Sequence, residues 1–189
     1  AQAQTGTGKT AAYGLPLLEQ MDPSLDTVQG LILCPTRELA QQVAKQLFKF
    51  TKYSTKIFTE AVYGGEHIDR QIGSLKRTTH IVVATPGRLL DLVERGAVDI
   101  SNVKILILDE ADEMLSMGFK EDLNKILKYN TTKRSTWLFS ATMPEEIKRI
   151  IKTYMAADAI KIEVNKNALV NENISHHFIN TSIKTKVSM

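Results

Sequence analysis

The sequence predicts an α/β domain with a largely parallel sheet and helices on both faces. Short apolar runs alternate with helical patterns along the chain, an order that is typical of doubly wound domains. Several runs are apolar almost throughout, as expected for parallel strands that are covered on both faces. The predicted strands are Leu31–Cys34, Ile57–Val62, Ile81–Ala84, Ile105–Leu108, Trp137–Ser140 and Ile160–Val164.

Helices are predicted between the strands from apolar spacing and from prolines at helix starts. The segment Arg37–Thr51 repeats apolar residues along one stripe, and so does a shorter segment that contains Ile68 and Ile72. The segment Pro86–Glu94 begins with a proline, whose missing N–H costs nothing in the first helical turn. The segment Glu145–Tyr154 also follows a proline.

Composition and charge narrow the class of protein. The chain has 189 residues, of which 43% are hydrophobic and 24% charged, which is enough for one globular domain with a full core. A net charge of +3 permits nucleic-acid binding without requiring it. No apolar run approaches the roughly 18 residues that span a bilayer, so no membrane partner is expected. The only cysteine, Cys34, lies in an apolar run, and a buried, reduced thiol there fits a cytoplasmic protein.

The strongest motif is a phosphate-binding loop of the Walker A type that runs from Ala3 to Thr10, with alanine at the first glycine position. Its glycines let several backbone N–H groups converge on one point. Lys9 supplies a positive charge for the β- and γ-phosphates, and the Thr10 hydroxyl can ligate Mg²⁺. A chance glycine-rich turn is disfavoured because a helical pattern follows at once. The predicted nucleotide-binding residues are Gln4, Thr5, Gly6, Thr7, Gly8, Lys9 and Thr10.

A second motif places two acids at the end of an apolar strand. The run Ile105–Leu108 leads directly into Asp109 and Glu110, which is a Walker B pattern. Open α/β sheets bind ligands at the carboxyl ends of their strands, so Lys9 is expected to lie near Asp109. Asp109 is expected to hold Mg²⁺ through its water shell, and Glu110 to orient or deprotonate the attacking water. Lys9, Asp109 and Glu110 are therefore the predicted catalytic residues.

Smaller motifs occur in a fixed order around these two. They are Pro35-Thr36-Arg37-Glu38-Leu39-Ala40, Gly64-Gly65, Thr85-Pro86-Gly87-Arg88 and Ser140-Ala141-Thr142, while residues 109–112 spell Asp-Glu-Ala-Asp. In these motifs the chain resembles the N-terminal RecA-like domain of the DEAD-box RNA helicases. The resemblance runs from residue 3 to about residue 164 and implies a RecA-like P-loop NTPase that uses ATP and Mg²⁺.

The resemblance also implies an RNA-binding edge. Three of the small motifs each follow an apolar run, so they should gather along one edge of the sheet, where their hydroxyls, backbone N–H groups and guanidinium groups suit phosphodiester contacts. Taken singly, each motif is also compatible with an ordinary turn or helix start. The predicted RNA-binding residues are Pro35, Thr36, Arg37, Gly64, Gly65, Thr85, Pro86, Gly87 and Arg88.

A coupling contact is the third implication. Ser140 and Thr142 are expected to hydrogen-bond Asp112, a contact that the family uses to link the nucleotide site to domain closure. An ordinary helix cap is the alternative, because Thr142 shortly precedes Pro144.

The predicted domain organisation follows from the same resemblance. Residues 1–164 are expected to form the ATP-binding domain, whose first strand and adenine-reading Q motif would lie upstream of Ala1. Residues 165–189 are expected to be a linker and the start of a second RecA-like domain. The leading interpretation is the catalytic half of an ATP-dependent RNA helicase, with single-stranded or duplex RNA and that second domain as partners. The alternatives are a DNA-translocating relative and a nucleotide-gated RNA-binding or scaffold module without turnover.

Overall fold

The sheet has five strands, and every pairing in it is parallel. The structure is a computed structural model that describes residues 8–53, 56–129 and 134–163. The strands are β1 (Gly30–Leu33), β2 (Thr59–Val62), β3 (Ile81–Ala84), β4 (Ile105–Leu108) and β5 (Ser135–Leu138), in the spatial order β2-β3-β1-β4-β5. The predicted parallel sheet is therefore confirmed.

The helices occupy the connections between the strands. They are α1 (Lys9–Glu19), α2 (Arg37–Thr51), α3 (Ile68–Leu75), α4 (Pro86–Glu94), α5 (Ala111–Ser116), α6 (Lys120–Tyr129) and α7 (Glu145–Tyr154). The helices α2, α4 and α7 begin and end at the predicted residues. The start of α2 is capped by Thr36, whose Oγ1 accepts a hydrogen bond of 3.2 Å from the Leu39 N–H.

Alternate residues of the central strands pack on opposite faces of the sheet. On one face, Leu33 and Leu108 belong to a buried cluster with residues of α4, α6 and α7. On the other face, Ile32 and Ile107 belong to a second buried cluster, which includes Tyr13 of α1 and residues of α2. This alternation is the period of two that strands impose. It confirms the prediction of helices on both faces.

The predicted strand Leu31–Cys34 lies one residue earlier, at Gly30–Leu33, and Ile57–Val62 is shortened to Thr59–Val62. Two further strand predictions differ more. The fifth strand lies two residues earlier than expected, since it ends at Leu138 and Ser140 makes only an isolated bridge. The predicted strand Ile160–Val164 is wrong over residues 160–163, where only Glu163 makes an isolated bridge. The side chains of Ile160 and Ile162 are 86% and 56% exposed. The apolar sequence thus predicted burial for side chains that the structure leaves exposed.

The parallel arrangement brings five strand ends to one edge of the sheet. Backbone hydrogen bonds continue past the strands there, from the Asp109 N–H to the Leu33 carbonyl and from the Thr85 N–H to the Val62 carbonyl. The segments that carry the predicted motifs start at this edge, which positions them side by side. Among the helices of the described ranges, none is long and apolar enough to cross a membrane.

Candidate functional site

The described part of the phosphate-binding loop is its last residue and the helix that follows. Gly8 precedes α1 with a φ of +81°, a left-handed conformation that residues with a side chain rarely adopt. Lys9 and Thr10 then form the first turn of α1. The predicted nucleotide contacts of Gln4, Thr5, Gly6 and Thr7 lie outside the described residues.

Two buried polar atoms lie at this edge of the sheet. Neither has a hydrogen-bond partner in the described part of the chain. They are Nζ of Lys9 and Oδ1 of Asp109, the residue that follows β4. Burial raises the pKa of Asp109 above its ordinary value, while the hydrogen bond from Tyr13 and the charge of Lys9 act in the opposite direction. Buried polar groups normally have partners. An open ammonium and an open carboxylate oxygen fit phosphate oxygens and a divalent cation.

Tyr13 is a site residue that sequence reasoning missed. Its hydroxyl donates a buried hydrogen bond of 2.8 Å to Oδ2 of Asp109. Burial, and next the negative charge of Asp109, raise the pKa of Tyr13 far above its ordinary value, so the phenol stays protonated and remains a donor. The available signal was its spacing, because a residue three positions after Thr10 lies on the same face of the helix.

Glu110 has the one left-handed backbone among the non-glycine residues of the described ranges. Its φ and ψ are 50° and 51°, and it stands immediately before α5. Such a conformation costs about 1–3 kcal/mol and persists only where the surrounding structure imposes it, which happens most often at functional sites. The strain therefore falls on the residue that the sequence predicts to handle the attacking water.

The ends of β4 and β5 are joined through Asp112. Oδ2 of Asp112 accepts hydrogen bonds from the Thr142 hydroxyl at 2.7 Å and from the Thr142 N–H at 2.8 Å. Ser140 contacts the backbone instead: its hydroxyl accepts from the Asp112 N–H at 3.3 Å and donates to the Thr142 carbonyl at 2.7 Å. The expected contact is present, and its coupling role stays a prediction.

This contact predicts a pH-dependent contribution to stability. Burial alone would raise the pKa of Asp112, but the hydrogen bonds that it accepts, first from the Thr142 side chain, lower this pKa below its ordinary 3.8. The contribution is therefore present above that pH and is lost as the pH falls through the lower, folded-state pKa.

We expect the wild-type chain to have a larger free energy of unfolding than Asp112→Asn at pH 7, with the difference shrinking below about pH 4. Urea unfolding across this pH range measures the difference. Glu113→Gln, at an exposed carboxylate of the same helical turn, is the matched control. A difference that stays constant down to pH 3 would contradict the assignment.

The ends of β1 and β2 meet through Tyr63. The Arg37 guanidinium lies over the Tyr63 ring, 5.4 Å from its centroid, and Nε2 of Gln41 donates to the Tyr63 hydroxyl at 2.6 Å. Gly65 has a φ of +83°, and Nη1 of Arg37 lies 3.6 Å from where a Cβ would stand. Arg37 is exposed. The motif after β1 and the paired glycines after β2 therefore form one surface.

Arg88 is tied to the loop after β2. Its guanidinium donates to Oε1 of Gln71 at 2.9 Å and to the Glu66 carbonyl at 3.1 Å. Gln71 is buried and in turn donates to the Tyr63 carbonyl at 3.0 Å. Arg88 thus organises the loop that presents the paired glycines, a structural role that the motif alone did not indicate.

Burial divides the other residues predicted to bind RNA. The exposed ones are Gly64 and Gly87, next to the edge described above. Pro35, Thr85 and Pro86 are buried, so they shape the edge from beneath rather than present a side chain to solvent.

Comparison with known proteins gives the family. The family model for DEAD/DEAH box helicases matches residues 1–150. The chain belongs to this family. The predicted resemblance to DEAD-box proteins is confirmed, and the Asp-Glu-Ala-Asp sequence spans the turn after β4 and the first two residues of α5.

Individual DEAD-box relatives show the same likeness over most of the chain. The "DEAD-box ATP-dependent RNA helicase CshA" of Streptococcus pneumoniae is 48% identical over 185 residues, which cover 98% of this chain and 35% of that protein. The "ATP-dependent RNA helicase CshA" of Listeria monocytogenes is 51% identical over 166 residues, covering 87% of this chain and 32% of that protein. This chain spans about a third of the length of these curated relatives.

A solved DEAD-box structure shows the fold. The crystal structure of a DEAD box protein from the hyperthermophile Methanococcus jannaschii matches with a TM-score of 0.78 and 46% identity, covering 82% of this chain and 42% of that one. The predicted RecA-like P-loop NTPase fold is therefore confirmed.

Proposed function

We propose that this chain is the ATP-binding domain of an ATP-dependent RNA helicase, which remodels RNA through the binding and hydrolysis of Mg²⁺-ATP. The observation that carries the proposal is the pair of open, buried groups, Nζ of Lys9 and Oδ1 of Asp109, at the same sheet edge as exposed Arg37. The family membership supports it, since the helicase relatives are named for ATP and RNA.

In the nucleotide-binding half of the site, we assign each step to a small number of residues. Lys9 would hold the β- and γ-phosphates by charge, the Thr10 hydroxyl would ligate Mg²⁺, and Asp109 would hold the ion through its water shell. When bound there, Mg²⁺ would neutralise charge that develops on the phosphates. Glu110 orients or deprotonates the attacking water, and its left-handed backbone fixes the direction in which its side chain leaves the β4 end.

The coupling half links that chemistry to motion. Thr142 ties the end of β5 to Asp112, two residues after the acid that activates water. A shift of the β4 end on nucleotide binding would therefore move the β5 end with it. The expected recipient is a second RecA-like domain, and its predicted linker and start, residues 165–189, lie outside the described residues.

The RNA half is the surface made by Arg37, Gly64 and Gly65, with Arg88 behind it. Its guanidinium and backbone N–H groups match phosphate and ribose oxygens and offer little that could distinguish bases. Either single-stranded RNA or one strand of a duplex presents such a backbone. We place this activity in the cytoplasm, because the free, buried thiol of Cys34 is compatible with a reducing compartment.

Strand separation tests the proposal. The full-length protein with Mg²⁺-ATP is expected to separate a short RNA duplex, and Lys9→Ala is expected to lose this activity. The helicase assignment would be wrong if the protein is folded and binds RNA but leaves the duplex paired without nucleotide, with ADP and with ATP.

The RNA surface gives a prediction about Arg37. Arg37→Ala in the full-length protein is expected to weaken binding of all RNA sequences about equally and to reduce the salt dependence by about 0.7 in log–log slope, the value for one phosphate of a single strand. Fluorescence anisotropy at several salt concentrations measures both quantities. Arg149→Ala, which removes an exposed arginine from α7, is the matched control.

Arg88→Ala is expected to behave differently. It should weaken RNA binding and also lower the unfolding temperature, because it removes the hydrogen bonds to Gln71 and Glu66. A changed sequence preference in either variant, or unchanged RNA binding in both, would contradict the phosphate assignment.

A further inference from the structure

The Tyr13 phenol contacts Asp109, one of the two residues that are expected to hold the metal. It donates a hydrogen bond of 2.8 Å to Oδ2 of Asp109. The other carboxylate oxygen of Asp109, Oδ1, is buried and has no partner within the described ranges. The two oxygens of this carboxylate are therefore already distinguished before any ligand is present.

Core packing fixes the position of the phenol. Tyr13 is completely buried, and its ring belongs to the cluster that includes Ile32 and Leu47. The ring also packs against Phe139, with centroids 5.1 Å apart and planes at 53°. Since neighbouring side chains surround the ring, its hydroxyl cannot swing away from Asp109 without disturbing the core.

The carboxylate group of an aspartate can rotate about its Cβ–Cγ bond. A neighbouring group that holds it in one orientation therefore keeps an oxygen directed at the metal. Groups that hydrogen-bond to metal ligands supply this selection, and they also set the metal affinity. Tyr13 matches that description, because it occupies Oδ2 and leaves Oδ1 without a hydrogen-bond partner in the described ranges.

We propose that Tyr13 is a positioning residue that holds Asp109 by Oδ2 so that Oδ1 serves the Mg²⁺ of the bound nucleotide. The inference rests on the proposed function, because it concerns the same nucleotide site. It adds a role for a residue that none of the sequence motifs contains.

The test compares nucleotide affinity with and without the metal. Binding of a fluorescent ADP analogue to the full-length protein is measured in Mg²⁺ and in EDTA, for the wild type and for Tyr13→Phe. The variant is expected to lose about tenfold in the affinity gained from Mg²⁺, the lower end of what such groups contribute, while its affinity in EDTA is unchanged. Tyr154→Phe, which removes a hydroxyl bonded to Asn124, is the matched control and should equal the wild type.

A double-mutant comparison ties the effect to the carboxylate. Asp109→Asn is expected to abolish most of the gain from Mg²⁺, and Tyr13→Phe should cause no further loss in that background. The unchanged affinity in EDTA shows that Tyr13→Phe keeps its phosphate site, and thermal unfolding confirms the fold.

The outcomes separate the inference from the proposed function. If the wild type gains affinity from Mg²⁺ and Asp109→Asn loses it, while Tyr13→Phe binds as the wild type or more tightly, the inference is wrong and the proposed function stands. A loss in Tyr13→Phe that is equal in EDTA also overturns the inference, because the effect is then general. A wild type without any Mg²⁺-dependent affinity overturns both.

Discussion

Glu110→Gln in the full-length protein is expected to slow RNA-stimulated ATP hydrolysis by about 10²–10⁴-fold, the usual cost of losing one positioned acid–base group. ATP affinity should stay nearly normal, because Lys9 and Asp109 are untouched. Glutamine has almost the same shape as glutamate and would have to adopt the same left-handed backbone conformation at this position. The substitution therefore tests the loss of the carboxylate charge alone. Steady-state kinetics together with nucleotide binding separate the two effects.

Two further variants serve as comparisons for Glu110→Gln. Lys9→Ala should weaken nucleotide binding and turnover together, because it removes the charge that meets the phosphates. Glu113→Gln, at an exposed carboxylate three residues after Glu110, should change neither. Near-normal turnover in Glu110→Gln would mean that the wrong residue has been assigned as the base.

The 189 residues by themselves are expected to fold but to hydrolyse ATP about 10³–10⁵-fold more slowly than the full-length protein, the range contributed by an arginine finger. The family resemblance places that arginine in the second RecA-like domain. Duplex separation should fail for a separate reason, since the family resemblance implies that two domains share the contacts with RNA.

An ATPase assay with saturating RNA checks this expectation, first on the 189 residues and then after addition of the separately expressed second domain. Partial recovery on addition is the expected result. RNA-stimulated turnover by the 189 residues alone, at a rate close to that of the full-length protein, would contradict the two-domain account.

The sequence was informative where local pattern and burial agree. The runs at Ile81–Ala84 and Ile105–Leu108 are strands with the predicted bounds, because both of their faces are buried in the core. Helix α2 was readable from its apolar stripe and from Thr36, which caps it. At Ile160 the same apolar signal failed, because burial depends on neighbours that a linear pattern does not contain.

Contacts between distant residues were beyond the sequence. Tyr13 and Asp109 are 96 positions apart, and only the sheet topology brings α1 against the end of β4. Motif membership likewise did not show that Arg88 binds Gln71, 17 positions away. The motifs identify which residue types serve the site, whereas the division of those residues between surface and support depends on packing.

Steady-state ATP hydrolysis by the full-length protein tests the central claim most directly, measured without nucleic acid, with single-stranded RNA and with DNA of the same sequence. We expect Mg²⁺-dependent turnover that RNA stimulates and DNA does not, because the proposed ATP site and the proposed RNA-binding surface share one sheet edge. Equal stimulation by DNA would indicate a DNA-translocating relative. Nucleotide-dependent RNA binding without turnover would contradict the account and indicate an RNA-binding module that does not hydrolyse ATP.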